Sequence, residues 1–535
     1  MPAGERVRRL ADLITGIPCE IRGKTDINIK GIACHSSQVK PGFLFVAIEG
    51  LTVSGRNFID EAINRGAVAV ATTDVREVKK TWVTAIQTQM PRRFLAQVAN
   101  RFYDFPARRL NLIGVTGTNG KTSICYLLRS ICRQLGFEPG FIGTIEYWDG
   151  VERKPAGHTT PESLELVEML SRMVESNVPV CISEVSSHAL ELDRVFDIDF
   201  KVAVFTNLTQ DHLDFHRTMD NYRRAKMKLF ESLTPTSWAV TNIDDPTGMM
   251  IPRFTKAKVI AYGTKRELEP FFTRERNVSA YIQGEVVRSD SSGLECRVQI
   301  IRTEEINFSG GGTASSLAFP VELRLVGRHH LMNLLATVGV AYAMGWGLPD
   351  VLTGVNKLEM VPGRLEKVNT GKLGFNLFVD YAHTPDALKQ VLTTVHEFTH
   401  GRVIVVFGCG GDRDRTKRPL MGKIAAQLAD VVIITSDNPR TEEPRVIIEE
   451  IIQGIPQEVR RSSHSERVII VEEDREKAIR QAIISAQPSD TVVIAGKGHE
   501  TYQIIGGEKR HFDDREVAKG IIEKIVKASS NSISI

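Results

Sequence analysis

A buried-type strand that runs into a glycine-rich loop and then into a helix constrains this chain more than any other feature. Asn111–Val115 (NLIGV) reads as a short strand, and TGTNGKT follows it directly. The next apolar residues, Ile124, Leu127, Leu128, Ile131 and Leu135, recur at helical spacing. Strand, glycine loop and helix in that order open a nucleotide-binding α/β domain. Glycines let the backbone approach a phosphate, and the helix N-terminus supplies oriented N–H groups and a positive dipole. In such a loop Lys121 reaches the β- and γ-phosphates and the Thr122 hydroxyl takes Mg²⁺, with Gly117, Thr118, Asn119, Gly120 and Ser123 around them. The spacing departs from the common GxxxxGK[ST] pattern, because Val115 stands where its first glycine would fall. Taken alone, the loop does not separate a kinase, an ATPase and a ligase.

The chain of 535 residues is too long for one core, and length predicts about three or four domains. With 42% hydrophobic and 25% charged residues it is neither disordered nor fibrous. Its net charge of +3 lacks the basic excess of a nucleic-acid protein. The seven cysteines are odd in number and scattered without a CxxC pair, which argues against a zinc ribbon or a disulfide framework. No apolar run has the length of a signal peptide or a membrane span, so a reduced cytoplasmic protein without membrane insertion is expected.

Organisation along the chain follows the same signals. The first hundred residues mix strand-like runs (Phe43–Ile48, Ala67–Ala71) with one helical stretch, Phe58–Arg65. After the loop come a helix from Pro161, capped by Thr160, and strands at Pro179–Val185 and Lys201–Asn207. From 265 to 322 the pattern degrades into charged and Gly/Ser-rich sequence, including Ser309–Ser316, which reads as a solvated loop or hairpin insertion. Beyond Val361–Arg364, strands Arg402–Phe407, Val431–Thr435 and Val492–Ala495 alternate with helical stretches. The fold class is α/β in three domains, at 1–109, 110–362 and 363–535. The central one is a P-loop-type ATPase domain and the last a Rossmann-like, doubly wound domain.

TGTNGKT is not isolated. EVSSHAL (Glu184–Leu190), TNLTQDHLDFH (Thr206–His216), YRRAK (Tyr222–Lys226) and VPGRLE (Val361–Glu366) follow it in order. So do VDYAHTPDAL (Val379–Leu388), GCGGDRDRTKRP (Gly408–Pro419), SDNPRTEEP (Ser436–Pro444) and AGKGHE (Ala495–Glu500), with VKPGFLFVAIEG (Val39–Gly50) ahead of them. This series resembles the Mur ligase family, the ATP-dependent amide-forming enzymes of peptidoglycan assembly, over nearly the whole chain except the insertion and both termini.

The resemblance implies ATP and Mg²⁺ as cofactors and an acyl phosphate as intermediate. It places Lys121, Glu184, His212 and Lys226 in catalysis, Thr122, Glu184 and His212 at metal, and Lys226 as a carbamylated N6-carboxylysine. Physically, carbamylation turns a cation that would repel Mg²⁺ into a carboxylate-like ligand. Glu184 could instead cap a helix and Lys226, like Lys228, could lie on a solvated face; His188 and His216 could merely bond within their loops. Asn333, Arg364 and Asp380 match positions near the nucleotide, although His329 and His330 replace the family's usual residues there. Arg364 lies just past the domain boundary and would reach ATP only when the last domain closes.

The amino-acid end resembles the diaminopimelate-adding branch. The matching positions are Arg413, Asp437, Asn438, Pro439, Arg440, Gly496 and Glu500. Arg440 offers a planar fork for a distal carboxylate, and Asp437 and Glu500 can neutralise ammonium groups. An L-lysine substrate lacks that carboxylate and would leave Arg440 desolvated without a partner.

The UDP-sugar end fits less closely. Ser36 stands within His35-Ser36-Ser37, where relatives carry Asp-Ser-Arg, with Cys34, Leu51, Thr52 and Val53 around it. In the central domain the implied positions are His158, Thr159, Thr160, Ser186, Leu192 and Arg194. The implied reaction joins meso-2,6-diaminopimelate to the D-Glu γ-carboxylate of UDP-N-acetylmuramoyl-L-Ala-D-Glu, in a monomer whose partners are those small molecules and not nucleic acid. The rivals are an L-lysine-adding or folylpolyglutamate-type ligase and a non-catalytic nucleotide-binding scaffold.

Overall fold

The computed structural model describes residues 6–50, 53–265, 275, 277–302, 317–458 and 467–532. Leu51, Thr52 and the Ser309–Ser316 run lie outside the described residues.

The N-terminal sheet has the order Glu20–Arg22, Thr84–Gln87, Ala67–Thr72, Phe43–Val46, Gly31–Ala33. The expected helical stretch there is a 3₁₀ turn at Gly55–Phe58 leading into Ile59–Asn64. A longer helix, Pro91–Phe102, was not expected. Its signals are local: Pro91 opens it, and Phe94, Leu95, Val98 and Phe102 fall on one buried face.

The central domain is built on a sheet of eleven strands among the described residues. Strand β1 (Asn111–Thr116) lies between β2 (Val180–Glu184) and β3 (Val202–Phe205), parallel to both. Helix α1 (Lys121–Gln134) follows β1 and buries Ile124, Leu127, Leu128 and Ile131, the positions predicted from their spacing. It packs so closely on Leu348–Lys357 that a Cβ at Gly354 would fall 2.6 Å from the Ile131 Cα. Farther along come α2 (Met219–Glu231), β4 (Val278–Asp290), β5 (Gly293–Arg302) and β6 (Leu317–Leu323).

One expectation is corrected here and a second is resolved between its alternatives. Helix 163–175 starts at Ser163 with Glu162 as its N-cap, not at Pro161. Thr160 does not cap it, because its hydroxyl donates to the Glu184 carbonyl and accepts the Ser186 N–H. Of the two readings of 265–322, the hairpin is the one found among the described residues, where β4, β5 and β6 form antiparallel ladders that extend the central sheet. Leu294, Cys296 and Val298 alternate inward, so the period-2 signal is present but interleaved with charged outward residues. Helix α3 (His330–Met344) covers the inner face, and a Cβ at Gly284 would meet Leu335 at 2.7 Å.

The C-terminal sheet contains, in spatial order after Glu366–Val368, β7 (Asn376–Asp380), β10 (Thr491–Ala495), β8 (Val403–Phe407), β9 (Val431–Ile434) and Val468–Val471. Helices α4 (Pro385–Phe398) and α5 (Lys417–Leu428) follow β7 and β8. The four strands β7 to β10 are parallel, so the 381–384, 408–416, 435–440 and 496–500 loops leave the same, carboxyl edge, where ligands of doubly wound sheets gather.

Arg475 and Asp514, both fully buried, tie two helix starts together through hydrogen bonds of 2.8 and 2.7 Å. Removing one partner of such a pair leaves an uncompensated buried charge. Asp514→Ala is therefore expected to destabilise the C-terminal domain by about 3–5 kcal/mol in urea unfolding. A loss below about 0.5 kcal/mol, the scale of a neutral surface change, would contradict this.

Candidate active site

The glycine loop is shaped by close approach. Gly117 has φ +143°, and a Cβ there would collide with the Thr206 Oγ1 at 1.7 Å. The loop is strapped from the end of β3: Thr118 N donates to Asn207 O at 2.9 Å, Asn119 N to Asn207 Oδ1 at 2.9 Å, and Thr206 Oγ1 to Asn119 O at 2.6 Å. Lys121 Nζ curls back onto the carbonyls of Gly117 and Thr118 at 2.9 and 2.7 Å. Its pKa is lowered, chiefly by burial. Ser123 is buried in the first turn of α1.

Glu184 leaves the end of β2 and caps no helix. Its carboxylate accepts from Thr122 Oγ1 at 3.1 and 3.2 Å, from Thr144 N at 3.0 Å and from Thr144 Oγ1 at 3.0 Å. Thr144, forty residues upstream, belongs to no motif singled out in the sequence. Arg364 Nη2 reaches Thr122 Oγ1 at 3.4 Å, so the linker arginine already stands at the phosphate loop here. It lies over the Tyr381 ring, 4.8 Å from the centroid.

Lys226 is not a solvated-face lysine. It is 1% exposed on α2, donates to Gly117 O at 2.8 Å and sits 4.4 Å from the Tyr222 ring centroid. Burial, reinforced by the Lys121 charge and opposed by Asp211, holds its pKa well below the usual lysine range. The environment thus favours the neutral amine over the ammonium.

His212 takes the left-handed backbone (φ +54°), with Nε2 3.3 Å from Asp211 Oδ2. Burial lowers its pKa to about 3 despite the carboxylate, so the ring is neutral at pH 7. Burial pushes the Asp211 carboxyl up, but His212, His383 and Lys417 outweigh that and hold it below the usual range. His216 bonds within its surroundings, Nε2 to Ser187 Oγ at 2.9 Å, and His188 packs edge-on against His212 at 4.8 Å between ring centroids.

Asn333 Nδ2 donates to His330 Nδ1 at 3.1 Å, and its Oδ1 would lie 2.5 Å from a Cβ on Gly120. A cleft of about 450 Å³ opens beside them, lined by Asn119, Asn207, Asp244, His329, Asn333 and Asp386 among others. Asn119 Nδ2 donates across it to Asp386 Oδ2 at 3.0 Å, joining the central and last domains. Asp380 faces the linker instead: its two oxygens accept the N–H groups of Leu365 and Ala382, each at 2.7 Å.

A larger cleft of about 810 Å³ runs from Asp211 and His212 to the carboxyl edge of the last domain. Thr144, His158, Thr159, Asp211 and His212 line one wall; Arg413, Asp437, Asn438, Arg440, Gly496 and Glu500 line the other. Arg440 takes φ +54° and donates to Gly411 O at 2.6 Å, while Arg413 donates to Asp412 O at 3.0 Å. Gly411 lies so near Pro439 that a Cβ would meet its carbonyl at 1.9 Å. Asn438 donates to Glu500 Oε2 at 2.9 Å. Gly496 has φ +114°, and a Cβ would meet Asp437 Oδ2 at 2.7 Å. Burial, then the Asp437 charge, raises the Glu500 pKa; burial, then Arg413, lowers that of Arg440. Between the two acids stands Lys497, fully buried and not anticipated from sequence.

Several residues expected at the UDP-sugar end are already engaged. Ser36 Oγ donates to Glu61 Oε2 at 2.8 Å; Cys34 is buried, and Val53 is exposed. Thr160 is fully buried behind Glu184, Ser186 caps helix Ser187–Glu191 by accepting Ala189 N at 3.1 Å, and Leu192 is its half-buried C-cap. Arg194 is held by Thr160 O at 2.9 Å and Glu162 at 2.8 Å, and Arg92 pairs with the same Glu162 at 2.9 Å. Only His158 and Thr159 of this group line the large cleft.

All seven cysteines are unpaired, and no described helix is long and apolar enough to cross a membrane.

Known proteins share this arrangement. The family models for the Mur ligase family catalytic domain, middle domain and glutamate ligase domain match residues 28–103, 115–341 and 363–498. The middle-domain match runs through the stretch expected to be an insertion outside the resemblance. The UDP-N-acetylmuramoyl-L-alanyl-D-glutamate–2,6-diaminopimelate ligase of Caldanaerobacter subterraneus is 42% identical over 520 residues, 97% of this chain and 100% of that protein. The ligase of the same name from Geobacillus thermodenitrificans is 41% identical, covering 93% and 95%. Among solved structures, one of a ligase of that name superposes with TM-score 0.63 at 30% identity over 97% and 99% of the two chains. The MurF ligase of Thermotoga maritima in complex with ADP gives TM-score 0.57 at 18% identity over 93% and 98%, which shows the fold.

Proposed function

The chain belongs to the Mur ligase family, and from that premise we propose how its two clefts divide the work. It is an ATP-dependent, ADP-forming amide ligase that adds 2,6-diaminopimelate to UDP-N-acetylmuramoyl-L-alanyl-D-glutamate in peptidoglycan synthesis. The D-glutamyl γ-carboxylate takes the γ-phosphoryl group of ATP. The incoming amine then adds to the acyl phosphate, and the tetrahedral adduct expels phosphate.

The smaller cleft, over Asn119, Gly120 and Asn333, is assigned to the nucleotide, with its phosphates at 117–123. Binding ATP draws Lys121 Nζ off its own loop carbonyls and, with Arg364, onto the transferring phosphoryl group, where fixed cations stabilise developing charge. Among the described residues no three His, Cys, Asp or Glu side chains converge on a metal position. The oxygen donors Thr122 and Glu184 still suit a hard cation that keeps phosphate and water ligands, and neutral His212 is assigned to it as the third protein ligand. Mg²⁺ held there would supply positive charge against the negative charge of the phosphates. The neutral amine, which burial favours at Lys226, is the form that adds to CO₂, giving a carbamate and one proton, and Lys226 is assigned as the carbamylated lysine.

The large cleft is assigned to the acyl phosphate and the amino acid. Arg440 and Arg413 take carboxylates, with Asp437 and Glu500 on the ammonium. The distal centre of diaminopimelate carries both groups, which separates it from L-lysine, and the meso isomer is the assigned substrate. Cys34, Ser36, Val53, His158, Thr159, Ser186, Leu192 and Arg194, with Leu51 and Thr52, are assigned to the UDP-sugar. Ser36 and Arg194 must then exchange protein partners when it binds. The proposed domain division is 1–109, 110–362 and 363–535. The enzyme is assigned to the cytoplasm, where ATP and nucleotide-linked precursors are made, and to a monomer, because one chain supplies both walls of the cleft.

The observation that carries this reading is the continuous 810 Å³ cleft from His212 to Arg440. ATP-dependent phosphate release tests it. Release is expected only with the UDP-dipeptide and diaminopimelate both present; equal release without the amino acid would contradict it.

A further inference from the structure

The two acids assigned to the substrate ammonium lie in the loops that follow β9 and β10, and the ammonium of Lys497 is buried between them. Lys497 is fully buried, with Nζ 3.2 Å from Asn438 Oδ1, 3.3 Å from Glu500 Oε2 and 3.7 Å from Asp437 Oδ1, and 5.5 Å from the Tyr502 ring centroid. Asn438 closes the ring by donating to Glu500. A fully buried lysine pays heavily in lost hydration unless anions surround it, so the site is built to keep it.

The charge count gives the lysine a purpose. On the ammonium side Asp437 and Glu500 present two negative charges to one ammonium, while Arg413 and Arg440 in the same cleft face the carboxylate beside it. That excess repels the carboxylate that Arg440 must capture. An end carrying an ammonium and no carboxylate, as in L-lysine, would suffer no such repulsion. We propose that Lys497 is a specificity-determining positioning residue, whose buried ammonium cancels one of the two carboxylates so that the pocket matches a zwitterionic substrate end. It touches neither substrate nor the reacting atoms; it acts through Asp437, Asn438 and Glu500. This rests on the assignment of those residues to the amino acid.

The test is steady-state kinetics of Lys497→Met and of the double variant Lys497→Met/Glu500→Gln, with diaminopimelate and L-lysine compared in each. Lys497→Met is expected to lower kcat/KM for diaminopimelate by about 10- to 100-fold, the scale of unbalancing a close buried charge. The loss should fall mainly on KM, and preference over L-lysine should drop by about tenfold or more. Positional isotope exchange in ATP with the UDP-dipeptide alone reads the phosphoryl step and should be unchanged.

The double variant restores a single negative charge on Asp437. It should therefore recover diaminopimelate binding by about fivefold over Lys497→Met, although a second binding residue has been altered. A lysine that merely props up two loops would lower use of both amino acids equally and would not be rescued. Equal losses, absent rescue or an unchanged preference overturns the proposal. If Lys497→Met does not fold, Lys497→Gln carries the same comparison. Wild-type enzyme that rejects diaminopimelate would instead overturn the substrate assignment itself.

Discussion

Lys226→Ala lowers amide synthesis by roughly 10²–10³-fold, the scale of losing one preorganised charge-stabilising group in an enclosed site. The side chain is 1% exposed, directed at the Gly117 carbonyl, and has no carboxylate paired with it. A cation held this close to Lys121 would work against the phosphates and any bound Mg²⁺. Burial and Lys121 together resolve the conflict by favouring the neutral amine. The sign of the pH effect follows. Carbamylation needs the unprotonated amine, and a pKa lowered by burial and by the Lys121 charge raises the share of that form at any given pH, so the carbamate should form at lower pH than on an exposed lysine. With ¹³C-labelled bicarbonate, wild-type enzyme should show a carbamate carbon resonance that Lys226→Ala lacks. Full activity of Lys226→Ala, with or without bicarbonate, would remove the carbamate from the mechanism.

Arg440→Ala is expected to cost about 2–4 kcal/mol in kcat/KM for diaminopimelate, roughly 30- to 1,000-fold, because it strands a desolvated carboxylate. Its guanidinium is part-buried, held by Gly411 O at 2.6 Å and shaped by a left-handed backbone, so little ordering remains when the substrate arrives. Lysine is a poor replacement, since a point charge cannot reproduce the planar fork. L-Lysine, lacking the distal carboxylate, should be used by Arg440→Ala about as well as by wild type. Equal losses for both amino acids would mean that Arg440 serves the loop and not the substrate.

How much was readable in advance depended on where each signal lies. The phosphate loop and the 381–384, 408–416, 435–440 and 496–500 loops each follow a hydrophobic strand. Local patterning therefore marked them, and the parallel sheets carried them to common edges. Contacts between distant segments were not legible. Thr144 holds Glu184 across forty residues, and Arg92 meets Arg194 at Glu162 from another domain. Lys497 lay within AGKGHE, yet only the fold brings Asp437 and Asn438 to it. The β4–β5 hairpin was one of two readings of its stretch, left open against a loop because its outward face is charged, although its inward face alternates regularly. Thr160 looked like a helix cap because Pro161 follows it, but the carbonyl of Glu184 competes for its hydroxyl and wins.

The central claim is that the cleft between the central and last domains joins one chosen amino acid to the D-glutamyl γ-carboxylate. The most direct measurement supplies ATP, the UDP-dipeptide and equal diaminopimelate and L-lysine together, and reads the product by mass. The predicted result is the diaminopimelate amide in large excess, with one ADP and one phosphate per amide. L-Lysine amide as the main product, or ADP formed without any amide, would contradict it.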